Sequence, residues 1–233
     1  MYAAHFAIGL ALQSRAPRQP AWPVVLGVGL LDLLNGLFIV LGWDQVSPNL
    51  VAGPYLYFDL RFIDWDHSLL AALLWSAAWA ALCLGRQKDR ALAAWAGLAA
   101  LSHWLADWPV HNHDLALYPH AATRLGAGLW GQLGIAAWWL EGLVALALCA
   151  WAWARARRAG QDWRWPTLWV GALWLGLSPW ASPMPLIGRW PEPWAHLGHG
   201  TLVGLGFALP GLALLWLLQR ARNRASPPNP NAP

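Results

Sequence analysis

The stretch LWGQLGIAAWWLEGLVALALCAWAWA, residues 129–154, carries a single acid, Glu141, and meets no basic residue until Arg155. About 20 mostly apolar residues are enough to cross the hydrocarbon of a bilayer as a helix. Five more stretches read the same way: residues 22–43, 68–84, 91–108, 166–180 and 195–218. Those at 68–84 and 166–180 are short for the purpose. Residues 2–13 are apolar but shorter still, and read as a re-entrant, interfacial or packed helix. The expected fold is therefore all-α: a polytopic transmembrane helix bundle of six spans plus a short N-terminal membrane element.

Composition agrees. Of 233 residues, 58% are hydrophobic and 11% charged, where a soluble domain carries about 25% charged residues. So few charges cannot cover a water-facing surface. The 21 Trp suit the headgroup level on both sides of a bilayer. The basic pI does not point to nucleic acid, because no basic stripe interleaved with aromatics tracks along the chain. Cys83 and Cys149 each sit alone in apolar stretches, as small buried hydrophobes. No Lys or Arg precedes the apolar run at 3–12, so it does not read as a cleaved signal peptide.

Charge placement sets the orientation. With the end before Trp22 in the cytoplasm, Arg15, Arg18, Arg86, Lys88, Arg90, Arg155, Arg157, Arg158, Arg164, Arg220, Arg222 and Arg224 fall inside, and Arg61, Arg124 and Arg189 outside. The positive-inside rule favours this strongly. It predicts a bacterial inner-membrane protein with a cytoplasmic C-terminus, a single helical domain over 1–219 and a disordered tail over 220–233. The external loops, 44–67, 109–128 and 181–194, are rich in Pro, Gly and aromatics and could lid a cavity.

Under this topology all eight His lie on the external side or in the outer halves of spans, with His5 included if the N-terminal piece starts outside. Asp32 and Glu141 fall near the middle of spans and Asp107 near an outer end. A carboxylate at mid-bilayer costs about 2.5–3.5 kcal/mol even on an insertion scale, so intramembrane acids are candidates for function. His103 and Asp107, four apart, share a helix face. Asp64 and His67 open one span, His196 and His199 another. Imidazole and carboxylate donors without thiolate suit zinc, manganese or a similar divalent ion. Plainer roles compete: Asp64, Asp66 and Ser68 could cap a helix, Asp107 could bond loop amides, His196 could sit at the interface, and His111, His113 and His120 read as surface residues of a loop.

The segments Leu30-Leu31-Asp32, Asp64-Trp65-Asp66-His67-Ser68, Ser102-His103-Trp104-Leu105-Ala106-Asp107 and His113-Asp114-Leu115 occur in that order. With the early His5 and Gly9 they resemble a group of bacterial inner-membrane proteins related to the membrane-bound metal-dependent hydrolases, the LexA-binding, inner-membrane-associated hydrolase family. The resemblance covers about residues 1–145. It implies a metal-dependent hydrolase; read with the buried acids and imidazoles above, a divalent ion would be held by some of Asp32, His67, His103 and Asp107. The family's Pro-Asp-x-Asp is here Leu31-Asp32-Leu33-Leu34, without the second Asp, and Asp66 stands where a Thr would be. One ion therefore fits better than two.

Three functions compete. A divalent ion would lower the pKa of bound water toward about 7 for attack on a lipid ester or phosphoester, with Glu141 or His199 as general base; no G-x-S-x-G is present to offer a serine route. A transporter would use Asp32 and Glu141 as relay carboxylates, although no inverted repeat or broken helix is visible in the sequence. A structural protein would use the buried polar set only to lock its packing.

Overall fold

Gly29 interrupts the first long apolar stretch, and the rest of the architecture can be laid out from that break. In the computed structural model, which describes residues 1–52 and 56–225, residues 22–43 are not one helix. They form α2 (Trp22–Gly27) and α3 (Leu30–Val40), following α1 (Ala3–Gln13). The Val28 carbonyl at the break takes a hydrogen bond from His103 Nδ1 at 2.7 Å. A backbone acceptor released at membrane depth needs such a partner, and a side chain in the protein interior supplies it.

A hairpin follows. Strands β1 (Gln45–Pro48) and β2 (Phe58–Phe62) pair antiparallel, with Val46 opposite Leu60. The chain is mostly helical but not all-α: the alternation in Phe58-Asp59-Leu60-Arg61-Phe62 lets one edge of the loop pack inward while Arg61 stays in solvent. Then come α4 (Asp64–His67), α5 (Leu69–Gln87) and α6 (Arg90–Asp107). They are followed by α7 (Leu129–Leu133), α8 (Ile135–Arg158), α9 (Arg164–Gly176), α10 (Met184–Ile187) and α11 (Trp194–Ala225). Ser68 caps α5 by accepting from Ala71 N–H, and Asp89 caps α6 through Ala91 and Leu92 N–H.

Among the described residues three helices, α5, α8 and α11, are long and apolar enough to cross a membrane; α1 and α3 are shorter apolar helices, and α9 has 13 residues. Helix α11 continues past position 219 to Ala225. The rest of the expected tail, 226–233, lies outside the described residues.

The two ends of the bundle differ chemically. At one end Arg15 lies over the rings of Trp95 and Trp151, Arg222 donates to the Arg18 carbonyl, and Gln161 Nε2 to that of Pro17. This end gathers the basic stretches around 15–18, 86–90, 155–158 and 220–224. At the other end the three loops interlock. Ile39, Val46, Phe58, Met184, Ile187 and Ala195 form one buried cluster, and Tyr57 OH donates to the Pro179 carbonyl at 3.0 Å. His196 Nε2 reaches the Ile39 carbonyl at the end of α3 at 2.8 Å. Between the ends, Phe6, Leu10, Val25, Ala145, Cys149, Ala152 and Leu214 belong to the largest apolar cluster.

Helices α3 and α11 cross at Gly36, Gly200 and Gly204. A Cβ on Gly36 would come within 2.5 Å of Gly204 N and 2.6 Å of Gly200 O. Small residues four apart let helix backbones meet in lipid, where van der Waals contact replaces the hydrophobic effect as the cohesive force. This crossing fixes α3, and with it Asp32, against α11. Gly36→Val is expected to destabilise the protein by about 3 kcal/mol or more, since overpacking here meets backbone rather than a movable side chain. Gly85→Ala, inside α5 and with nothing within 4 Å of the added carbon, should not lower the melting temperature in detergent and should raise it slightly. Equal melting temperatures for Gly36→Val and wild type would contradict the crossing.

Candidate metal centre

Helix α6 places His103 and Asp107 one turn apart on one face. The helical path does not stop at Trp108-Pro109. Val110 and His111 N–H both bond the Asp107 carbonyl, at 3.0 and 2.8 Å, because a proline two residues past the helix end removes only an N–H that the turn can do without. His111 thus returns to the same face a further turn on. It is buried, whereas His113 and His120 are exposed; the reading of His111 as a surface residue is corrected. The spacing His103–Asp107–His111 was the available signal, and the proline masked it.

Side chains from α1, α3, α4 and α6 converge, joined by His111 just past the end of α6. His103 Nε2 lies 3.1 Å from Asp107 Oδ2 and 3.4 Å from Asp32 Oδ2. His67 Nε2 lies 3.6 Å from Asp32 Oδ1 and 3.8 Å from Asp107 Oδ2. His111 Nε2 is also 3.8 Å from Asp107 Oδ2. The other Asp107 oxygen, Oδ1, takes the Met1 amino group and faces His5 Nε2 at 3.1 Å. His5 in turn stacks on His103, ring centres 3.7 Å apart. One carboxylate oxygen is thus held from behind while its partner points at the imidazoles.

The second ring nitrogens decide what the cluster can hold. His103 Nδ1 meets a backbone carbonyl, which can only accept, so this nitrogen carries a proton. His67 Nδ1 donates to Asp66 at 2.6 Å, and His111 Nδ1 to Asp114 at 3.0 Å. In each neutral ring Nε2 is then a lone pair, and all three lone pairs face carboxylates. Acceptors facing acceptors in a buried site call for a positive charge between them, which a bound cation or a second proton on the imidazole would supply. His103 Nε2, buried and without a hydrogen-bond partner, is the plainest case. Ligands about 2.0–2.2 Å from a tetrahedral zinc lie roughly 3.3–3.6 Å from one another, close to the separations here. Two overlapping triads meet the spacing for a shared ion: Asp32, His67 and His103, and His5, His103 and Asp107. The residues present fit a single divalent ion, held by nitrogens whose tautomers are set by neighbouring acceptors.

A buried polar layer supports the ligands. Asp66 is also reached by Asn35 Nδ2 at 3.5 Å, and Asn35 reaches Asp44 at 3.4 Å. Asp64, read as a possible cap, instead pairs with Arg124 at 2.7 Å and accepts from His120 N–H at 2.8 Å. It pins the 109–128 loop over the site. Burial, reinforced by Asp66 beside it, pushes the Asp44 carboxyl up to about 9. Burial pushes the Asp66 carboxyl well up as well, so these adjacent buried carboxyls hold at least one proton between them.

Asp32, with 20% of its side chain exposed, opens onto a cavity of about 380 Å³. Asn35, Asp107 and His111 share the polar end of this cavity. Leu56, Leu60, Trp130, Met184 and the facing sides of α9 and α11 make the apolar remainder. His199 lines it too, ring against Phe58 at 4.2 Å, with Nδ1 buried and unpartnered. Glu141 is not one of the converging ligands, although its charge acts on the Met1 amino group that Asp107 also takes. It accepts from Ala4 N–H at 3.2 Å and so serves the first turn of α1, the helix that carries His5. It is not among the residues that line the cavity. Comparison with protein-family models, curated proteins and solved structures finds no match.

The shared proton has a consequence for stability. Asp44 is protonated when folded and ionises near its ordinary value of about 4 when unfolded. Its contribution is present in full below that value and is lost as pH rises toward about 9. Asp44→Asn should remove this trend, so its melting temperature should gain on wild type steadily as pH rises through that window. Parallel curves of melting temperature against pH would show that Asp44 carries no such proton.

Proposed function

We propose that this protein is a metal-dependent hydrolase of a bacterial inner membrane, in which Asp32, His67, His103 and Asp107 hold one divalent cation, zinc or manganese. The observation that carries the reading is the set of three imidazoles whose Nδ1 protons are committed and whose Nε2 atoms converge on two carboxylates. The resemblance of residues 1–145 to the LexA-binding, inner-membrane-associated hydrolase family points the same way. A bound divalent ion supplies Lewis-acid polarisation and an activated water. His111, held by Asp114 and facing the cavity, is placed to take or return a proton at Nε2. Glu141 is better suited to positioning α1 than to proton transfer.

The substrate class that fits is a lipid ester or phosphoester from the surrounding bilayer. Six crossings, with α2 and α3 together making the first and α1 a short membrane element, put the basic end and the C-terminus in the cytoplasm. The cluster then lies beneath the outer leaflet, within reach of headgroups. Its distance from the Arg15, Arg18 and Arg222 end supports that orientation.

Elemental analysis of detergent-purified protein should give about one zinc or manganese per chain, and His103→Ala or Asp107→Ala should abolish it. Asp66→Asn keeps the ligands but weakens the hold on His67 Nδ1; a loss of about 10–100-fold in metal affinity is expected for removal of such a partner. Well-folded wild-type protein that neither contains nor takes up a divalent ion would end the proposal.

A further inference from the structure

Helices α9 and α11 turn whole faces toward the cavity rather than toward each other. Trp169 and Leu173 on α9, continued by Leu177 just past its end, and His199, Val203 and Phe207 on α11 line it at four-residue intervals. That is one helical face on each. The small residues Gly176 and Gly206 widen the space between them. The two helices are tied where Trp169 Nε1 donates to the Pro210 carbonyl at 3.2 Å, which makes a floor. The chamber rises from there, apolar along its length, to Asp32 and His111. The neighbouring faces of the same helices carry exposed Leu175, Leu205 and Leu209, so hydrocarbon lies immediately outside the walls in a bilayer. The polar atoms of Tyr2 and Trp169 in this wall are spent on the Gly206 and Pro210 carbonyls, whereas His199 Nδ1 is buried and without a hydrogen-bond partner. An unmet buried polar atom in a ligand chamber is what a site reserves for its ligand.

We propose that the chamber between α9 and α11 takes one acyl chain of a membrane phospholipid. Its phosphoester end lies at Asp32 and His111, and His199 is the specificity-determining group that pairs with a glycerol-ester oxygen. The apolar length and the polar mouth belong to a single cavity, so the ligand must be amphiphilic along one axis. A free phosphate or a short soluble ester would leave the α9 and α11 faces uncovered. His199 is therefore a positioning group for substrate rather than the general base. The inference rests on the hydrolase reading for what happens at the mouth, but not for what fills the chamber.

The test uses full-length protein in liposomes containing phosphatidylglycerol with a diazirine near the end of one acyl chain. After irradiation, adducts are located residue by residue by mass spectrometry. Adducts on the inward residues Leu173 and Val203 are expected, beside those on the outward residues Leu205 and Leu209. Val203→Trp should lose the inward adducts and keep the outward ones; Leu173→Phe is the milder second variant. An ether-linked analogue should compete poorly in wild type and equally well in His199→Phe. Adducts confined to outward residues in wild type would overturn the proposal, and undiminished inward adducts in both filled variants would do the same. Equal competition by ester and ether lipids in wild type would remove the role of His199. Metal content measured on the same preparations separates the two readings: inward adducts in metal-free protein would sink the hydrolase and leave the lipid site standing.

Discussion

Buried imidazoles and carboxylates constrain one another here because neither can turn to water. His103 has one nitrogen on the Val28 carbonyl and the other directed at Asp32 and Asp107. Rotating the ring would strand a backbone acceptor in an apolar interior, at a cost of about 1–3 kcal/mol. The helix break at Gly29 and the orientation of His103 are therefore one feature. The break frees a carbonyl, the carbonyl fixes a tautomer, and the tautomer leaves Nε2 with a lone pair toward two acids. His67 and His111 repeat the arrangement with Asp66 and Asp114 in place of the carbonyl.

Much of the remaining structure can be understood as keeping that cluster in place. The α3–α11 crossing at Gly36 and Gly200 brings the helix of Asp32 against the longest helix in the chain. Glu141, from α8, meets an N–H in the first turn of α1, so His5 arrives behind Asp107. Arg124 ties the 109–128 loop to Asp64, one turn before His67. The small β-hairpin seals the end away from Arg15 without entering the cluster. Its Leu60 contributes instead to the cavity wall.

The sequence carried the candidate ligands more clearly than their supports. His103 and Asp107 announce themselves by a four-residue spacing in an apolar run, and Asp32 by having nothing near it in sequence to satisfy it. His111 was hidden because a proline between it and Asp107 reads as a stop, while the backbone simply makes a tighter turn. Asp44 and Asp66 lie in a loop, where acids are ordinarily solvated; only folding buries them side by side. The break at Gly29 was invisible because apolar continuity looks the same in one helix or two: Val28, Gly29 and Leu30 offer neither a proline nor a charge. The glycines of α11 at 200 and 204 did have a legible spacing, but their partner Gly36 is known only from the crossing. The hairpin was missed because its strands are four and five residues long, below the length at which alternation stands out from chance.

The broken first span bears on the choice between hydrolysis and transport. Transporters use unwound helices at mid-membrane to present backbone carbonyls to a passing ion, and α2–α3 supplies such a break. Here, however, the freed Val28 carbonyl is already engaged by His103, and Glu141, the second candidate relay acid, meets the backbone of α1. From the cluster toward the basic end the packing is Phe6, Leu10, Val25, Ala145, Cys149, Ala152 and Leu214, side chains that offer a permeating ion no replacement for its hydration. Moving charge through that layer would demand a rearrangement of the bundle, whereas chemistry at the cluster demands only access from the cavity. The exposure of the polar groups is graded to suit such access, since Asp32 is partly open while Asp107 and His103 are closed, and the apolar chamber joins the open side. Asp32 opens onto the cavity between α9 and α11, whose walls are apolar along most of their length and polar only near the cluster.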